Sequence, residues 1–319
     1  MNISYESSPS PCIFAVAEQK SFSRAAATLF ISQPAVSKAV RELEHQLNLP
    51  LIERAAGGMT RAKGARLTES GQAIFEHARG IFALERAAIE DVRARIGLKR
   101  GRLIVGASTT IAAYWLPAYI AQFIQRFPSI EIEVRVGNTA DISETLIDCN
   151  IDVALVEGAI DDPRIVATHW HDDELRIIAH PNSTLARKRK LSAAHLDEEV
   201  WLVRESGSGT REVSERMMQI HNIQPKRQIE FGSNEGIARA VASGLGVAMI
   251  STRVVRELLL LKEVKTVRYP HAPALLRPLF FLRLEARPLS PLAQAFYEIL
   301  ELPNLNPIPL KTGFRSTPK

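Results

Sequence analysis

Residues 205–212 read ESGSGTRE, directly after the apolar run EVWLV (Glu199–Val203) and before the helix-like REVSERMMQIH (Arg211–His221). Ser206, Gly207, Ser208, Gly209, Thr210 and Arg211 place two glycines, three hydroxyls and a guanidinium at a strand-to-helix junction. Backbone N–H groups and the positive end of a helix both face such a loop, and both favour a bound anion. The lysine of a phosphate-cradling P-loop is missing. The loop alone is therefore compatible with holding a phosphate for chemistry, with sensing an anion, or with a plain glycine-serine turn.

Other reactive groups offer less. Cys12 and Cys149 are the two cysteines, without CxxC or Cys/His ligand spacing, so neither a disulfide framework nor a zinc site is supported. Cys149, in LIDCNID (Leu146–Asp152), reads as a core residue, and Cys12 follows prolines that disfavour a helix start. His169 and His171 in ATHWHDDE (Ala167–Glu174) would share one face of a strand, but no further ligand is near them in sequence. Neither a G-x-S-x-G elbow nor a dinucleotide fingerprint occurs. The chain is expected to bind rather than catalyse, with no metal and no cofactor beyond a small effector.

The elements that must position these groups fall into two kinds. With 319 residues and 46% hydrophobic content, the chain is long enough for two or three domains. The apolar run ELLLLKEV (Glu257–Val264) is far short of the ~20 residues of a membrane span, and the first thirty residues lack a secretory pattern. The expected compartment is the cytoplasm. The net charge is +5, and residues 20–66 alone carry eight bases against three acids, a distribution suited to nucleic acid but also to a solvated face. Residues 14–97 have helical spacing with little strand before GARLT (Gly64–Thr68). From Arg102 onward, short strand-like runs such as RLIVGA, IEIEVRV, DVALVE, LRIIAH, QIEF, GVAMI and PLFFLRL alternate with helix-length stretches, which predicts βαβ units.

The stretch SFSRAAATLFISQPAVSKAVRELEHQL (Ser21–Leu47) predicts two helices with almost no linker. Ser23 is read as the cap of the first, and Ser32 with Gln33 and Pro34 starts the second. Val36, Val40, Leu43 and Leu47 form the apolar stripe of the second helix, while Ala25, Ala26 and Ala35 permit close approach. Gln33, Ser37, Lys38 and Arg41 then lie on other faces, the first three near the end that a helix-turn-helix inserts in the major groove.

Residues Ala15–Arg54, followed by RLTESG (Arg66–Gly71), resemble the winged helix-turn-helix of LysR-type transcriptional regulators. The similarity continues through Gly106–Ile142, DVALVEG and Ser233–Ile250, covering roughly residues 13–300. It implies an α plus α/β fold in three parts. A winged helix-turn-helix occupies 1–68, a long dimerising linker helix 69–100, and a two-lobed effector domain like periplasmic binding proteins 101–302, ahead of a loose tail at 303–319. Lobe I would take about 101–172 and 271–302, and lobe II about 173–270. The implied partners are double-stranded DNA carrying a pseudo-palindromic operator, further copies of the chain as a dimer or a dimer of dimers, and RNA polymerase as a candidate, with no membrane. The DNA-binding set is Ser23, Arg24, Ser32, Gln33, Pro34, Ser37, Lys38 and Arg41, with Arg61, Lys63 and Arg66 near the wing.

Two features depart from the family pattern. Pro9 and Pro11 stand where its first helix begins, and the wing AAGGMTRAKGA (Ala55–Ala65) is several residues longer than usual. After Thr68, Phe75, Phe82, Ile89 and Ile96 recur every seven residues, with Ala78 and Val92 at the other seam positions and Glu85 interrupting them. This stripe predicts either a dimer seam or packing on the chain's own helices.

In a two-lobed α/β receptor the ligand lies at the carboxyl ends of strands. Ser108, Thr109 and Thr110 would then face the ESGSGTRE loop from the opposite lobe, with Asn138 and Thr139 at a third junction. Glu157 would accept from a ligand hydroxyl or orient Arg211. Family members with a similar GSGTR loop respond to small sulfur oxyanions or phosphorylated metabolites, so the resemblance implies an anionic effector. The alternative is an anion-binding protein or enzyme with a helical head that does not touch DNA.

Overall fold

The computed structural model of the chain describes residues 9–53, 65–95, 101–158, 160–188, 191–269 and 275–301. Contacts divide it into two compact units, Met1–Ala88 and Ile89–Lys319.

In the first unit, α1 (Pro9–Gln19), α2 (Phe22–Thr28) and α3 (Gln33–Leu47) bury a small core of Cys12, Ile13, Val16, Ala25, Ala26, Val36, Ala39 and Val40. Pro9 and Pro11, read as disfavouring a helix start, lie inside α1 because a first turn has no intrahelical use for the N–H groups that proline lacks. Cys12 is consequently a core residue, and burial pushes its thiol up. Ser21, not Ser23, caps α2 by accepting from Arg24 N–H at 3.4 Å, and Ser32 caps α3 by accepting from Ala35 N–H. Ala39 takes the close-packing place expected for Ala35, which is exposed, and Leu47 is exposed beside the Asn48 cap that ends α3 in the left-handed region. A bridge between Ile52 and Leu67 marks the base of the wing, whose tip at 54–64 lies outside the described residues.

Helix α4 (Glu69–Arg95) follows Thr68, whose Oγ1 accepts from Gly71 N–H at 3.1 Å. The heptad stripe on it has two fates. Phe75 and Phe82 pack against Phe14 of α1, with ring centroids 5.2 and 5.0 Å apart, so these two serve the chain's own core. Ile81, Leu84, Ile89 and Val92 remain exposed on the helix, Val92 by 61%.

The second unit is built on one sheet. Its elements are β1 (Gly101–Ser108), α5 (Thr109–Tyr114), α6 (Leu116–Arg126), β2 (Ile130–Gly137), α7 (Thr139–Ile147), β3 (Val153–Glu157), β4 (Ile165–Ala179), α8 (Thr184–Arg187), α9 (Ala193–Asp197), β5 (Val200–Arg204), α10 (Gly209–Ile220), β6 (Arg227–Phe231), α11 (Asn234–Ala242), β7 (Val247–Ser251), α12 (Arg256–Leu260), β8 (Lys265–Thr266), β9 (Leu275–Leu284) and α13 (Pro291–Ile299). The described strands run in the order β2-β1-β3-β9-β4-β7-β5-β6, with β8 on β4. β1 pairs in parallel with β2 and β3, and β5 with β6 and β7. Helices cover both faces of each half, so β3 (VALVE) and β7 (VAMIS) are buried throughout and read as continuous apolar runs.

Two long strands join the halves. β9 pairs antiparallel with β3 and β4, and β4 passes on to pair with β7 and β8. β4 is thus one strand across the expected lobe boundary at 172/173. A register shift between His169 and His171 breaks the alternation that would have put both rings on one face. His169 pairs with Asp172 at 2.9 Å, whereas His171 stacks on Trp115 and meets the Tyr119 hydroxyl at 3.0 Å. Burial and the nearby Arg253 hold the His171 imidazole below its usual range. Cys149 is buried in a turn after α7.

Candidate functional site

The carboxyl ends of β1, β3 and β5 meet where the two halves of the sheet join. At β1, Ser108 and Thr110 are buried, and Thr110 Oγ1 accepts from Asn234 Nδ2 at 2.7 Å at the start of α11. Thr109 Oγ1 accepts from Arg204 Nη1 at 3.1 Å, a bond that crosses from β5. Arg204, 2% exposed, also holds Glu205 in a two-pronged pair at 2.7 Å.

The glycines of the ESGSGTRE loop are there for close approach. Gly207 has φ +83°, and Ala140 N–H donates to its carbonyl at 3.2 Å. A Cβ on Gly209 would lie 2.6 Å from the Glu157 carbonyl oxygen, so a side chain at this position would push the β5–α10 junction away from β3. Asn138 caps α7 through a capping box with Asp141, and Thr139 donates to the Glu157 carbonyl at 3.0 Å. Thr139, Ser143, Ser206, Gly207, Gly209 and Arg211 line a cavity of about 380 Å³ at the N-terminus of α10, together with the carboxylates Glu212 and Glu215.

Arg211 is engaged by its own lobe. Its Nε donates to Glu215 at 2.7 Å, and its Nη1 donates to Glu230 at 2.6 Å and to the Arg204 carbonyl at 3.0 Å. These bonds raise its pKa above the ordinary arginine value, the Glu215 bond most. Glu157 does not orient Arg211. It lies 3.6 Å from Arg277, a fully buried cation that sequence reading missed because it sits inside the apolar strand LLRPLFFLRL. Arg277 pairs with Asp173 at 2.5 Å and donates to Thr210 Oγ1 at 2.7 Å, while Ser251 donates to the other Asp173 oxygen at 2.8 Å. Around the junction Ser108 Oγ, Glu157 Oε1, Asn234 Oδ1 and Arg277 Nε are buried without a hydrogen-bond partner among the described residues. Groups of this kind are costly to leave unpaired, and they are suited to a polar ligand.

In the first unit Ser23, Arg24, Gln33, Pro34, Lys38, Arg41 and Arg66 are exposed. Gln33 donates to Ser37 Oγ at 2.8 Å, Arg41 Nε to the Ser37 carbonyl at 3.2 Å, and Lys38 pairs with Glu42 at 3.7 Å. Arg61 and Lys63 lie outside the described residues.

A helix-turn-helix with an exposed basic second helix, on a chain that also carries a two-lobed α/β domain with a polar junction, defines a ligand-responsive DNA-binding regulator. Residues 12–72 match the bacterial regulatory helix-turn-helix protein, lysR family, and residues 97–302 match the LysR substrate binding domain. The chain belongs to the LysR family of transcriptional regulators. It is 32% identical to the HTH-type transcriptional regulator CysL of Bacillus subtilis, over 78% of this chain and 82% of that protein. It is also 32% identical to the RuBisCO operon transcriptional regulator of Allochromatium vinosum, over 90% and 92%. The regulatory domain of Synechocystis CcmR in complex with 2-PG superposes with a TM-score of 0.58 at 28% identity, over 63% of this chain and 95% of that one.

Proposed function

We propose that this regulator acts in the cytoplasm as an oligomer on a pseudo-palindromic operator, and that it senses a small anionic metabolite bound between its lobes. The observation that carries the effector reading is the convergence of the glycine loop, the start of α10, Thr139 and Arg211 on one cavity of about 380 Å³. Arg211 serves there as an exchangeable cation: the anion replaces one of its carboxylate partners, Glu215 or Glu230. The relatives are named as regulators, which supports binding rather than catalysis.

Calorimetry of the full chain against sulfate, sulfite and phosphoglycolate tests this reading. One of these anions is expected to bind, and Arg211→Ala is expected to lower its affinity about 10 to 150-fold, the worth of one charge-assisted contact, with DNA affinity unchanged. Equal affinity in both proteins, or a preference for uncharged ligands, would sink the idea.

The exposed face of α4 is the assembly surface in this reading. Ile81→Asp with Leu84→Asp puts charge on that face without touching the Phe14, Phe75 and Phe82 cluster, and is expected to give monomers by light scattering with weakened operator binding. A variant that remains oligomeric would place the contact elsewhere.

A further inference from the structure

Phe30 is 95% exposed, more than any other large apolar residue described. It lies in the turn between α2 and α3 with φ at +56°, the left-handed region where glycine or asparagine is the usual resident. The turn closes there, with Phe30 N–H donating to the Ala27 carbonyl at 3.3 Å and Ile31 N–H to the Ala26 carbonyl at 3.1 Å. Leu29 and Ile31 on either side pack against the core of the unit, so the phenylalanine ring is held outward and has no apolar place to retreat to. An exposed ring and a left-handed backbone both disfavour phenylalanine, and asparagine would relieve both. The ring continues the exposed edge made by Thr28, Ser32, Gln33, Pro34 and Ala35, which includes the first turn of α3. In a helix-turn-helix that turn enters the major groove, where the one apolar group on a base edge is the thymine methyl.

We propose that Phe30 is a DNA-reading residue whose ring packs on a thymine methyl group in the major groove beside the N-terminus of α3. This assignment rests on α3 being the reading helix. The test uses the full chain and a duplex enriched on it from a random-sequence pool, prepared with thymine or with uracil in its place. Phe30→Asn is expected to keep or raise the thermal midpoint and to bind the thymine duplex about tenfold more weakly, with an unchanged salt slope because no phosphate contact is lost. The wild-type chain is expected to fall to the variant's level on the uracil duplex, and the variant to bind both duplexes alike.

Wild-type affinity in Phe30→Asn, or indifference of the wild-type chain to uracil, would overturn the proposal. Should the variant melt early, the thymine-to-uracil comparison on the wild-type chain decides alone. Arg41→Ala separates the two failures. If it weakens binding while Phe30→Asn does not, only the Phe30 assignment falls, and if neither does, the assignment of α3 as the reading helix falls with it.

Discussion

Arg277→Met is expected to destabilise the second unit by about 3–5 kcal/mol, the cost of removing one partner from a buried charge network. Arg277 is fully buried, pairs with Asp173 at 2.5 Å and stands 3.6 Å from Glu157. The methionine fills much of the same volume, so the loss comes from leaving two buried carboxylates without their cation. Asp173→Leu combined with Arg277→Met removes both charges of the closest pair, and it is expected to cost less than the two single losses added together. Urea unfolding of the three variants and the wild-type chain measures this directly. Additive losses would mean that Arg277 acts through packing alone, independently of Asp173. The network also links the two halves of the sheet, since Glu157 belongs to β3 in one half and Thr210 and Ser251 to α10 and β7 in the other, with Asp173 on the shared strand β4.

Arg41→Ala is expected to weaken operator binding by about 1–3 kcal/mol, and to relax the sequence preference at one base pair of each half-site. In the free protein the Arg41 guanidinium is exposed and turned back onto the Ser37 carbonyl at 3.2 Å, and Lys38 is tied to Glu42 at 3.7 Å in an exposed pair. Exposed contacts of this kind contribute little to stability, so both side chains can leave them for DNA at small cost. Lys38→Ala is expected to act on all sequences alike and to lower the salt slope by about one unit, as loss of a phosphate contact does. Gel shifts at two salt concentrations on matched and mismatched duplexes distinguish the two roles. A Lys38→Ala/Arg41→Ala double variant that binds as the wild-type chain does would remove α3 from the interface.

The amino-acid sequence by itself determined the local elements and the family. Ser32, Gln33 and Pro34 announce a helix start because an oxygen cap and a proline in the first turn satisfy requirements internal to one segment. The strands β1, β2, β3, β5, β6, β7 and β9 were legible as strand-like runs because each carries a continuous or alternating apolar pattern of its own. Tertiary structure decided whatever depends on a partner from elsewhere in the chain. Residues Thr168–Glu174 of β4 are polar and aromatic, and they are held in a strand by their pairing with β9. Phe75 and Phe82 fit a dimer seam by spacing, yet Phe14 claims them, since periodicity marks a face without saying what covers it. The same holds for charge. Arg211 was expected to meet a ligand or Glu157, but folding brings Glu230 to it from nineteen residues away, and it brings Arg277 to Asp173 across 104 residues. A one-dimensional pattern can show that a cation is present. Which anion neutralises it is set by the packing of the sheet.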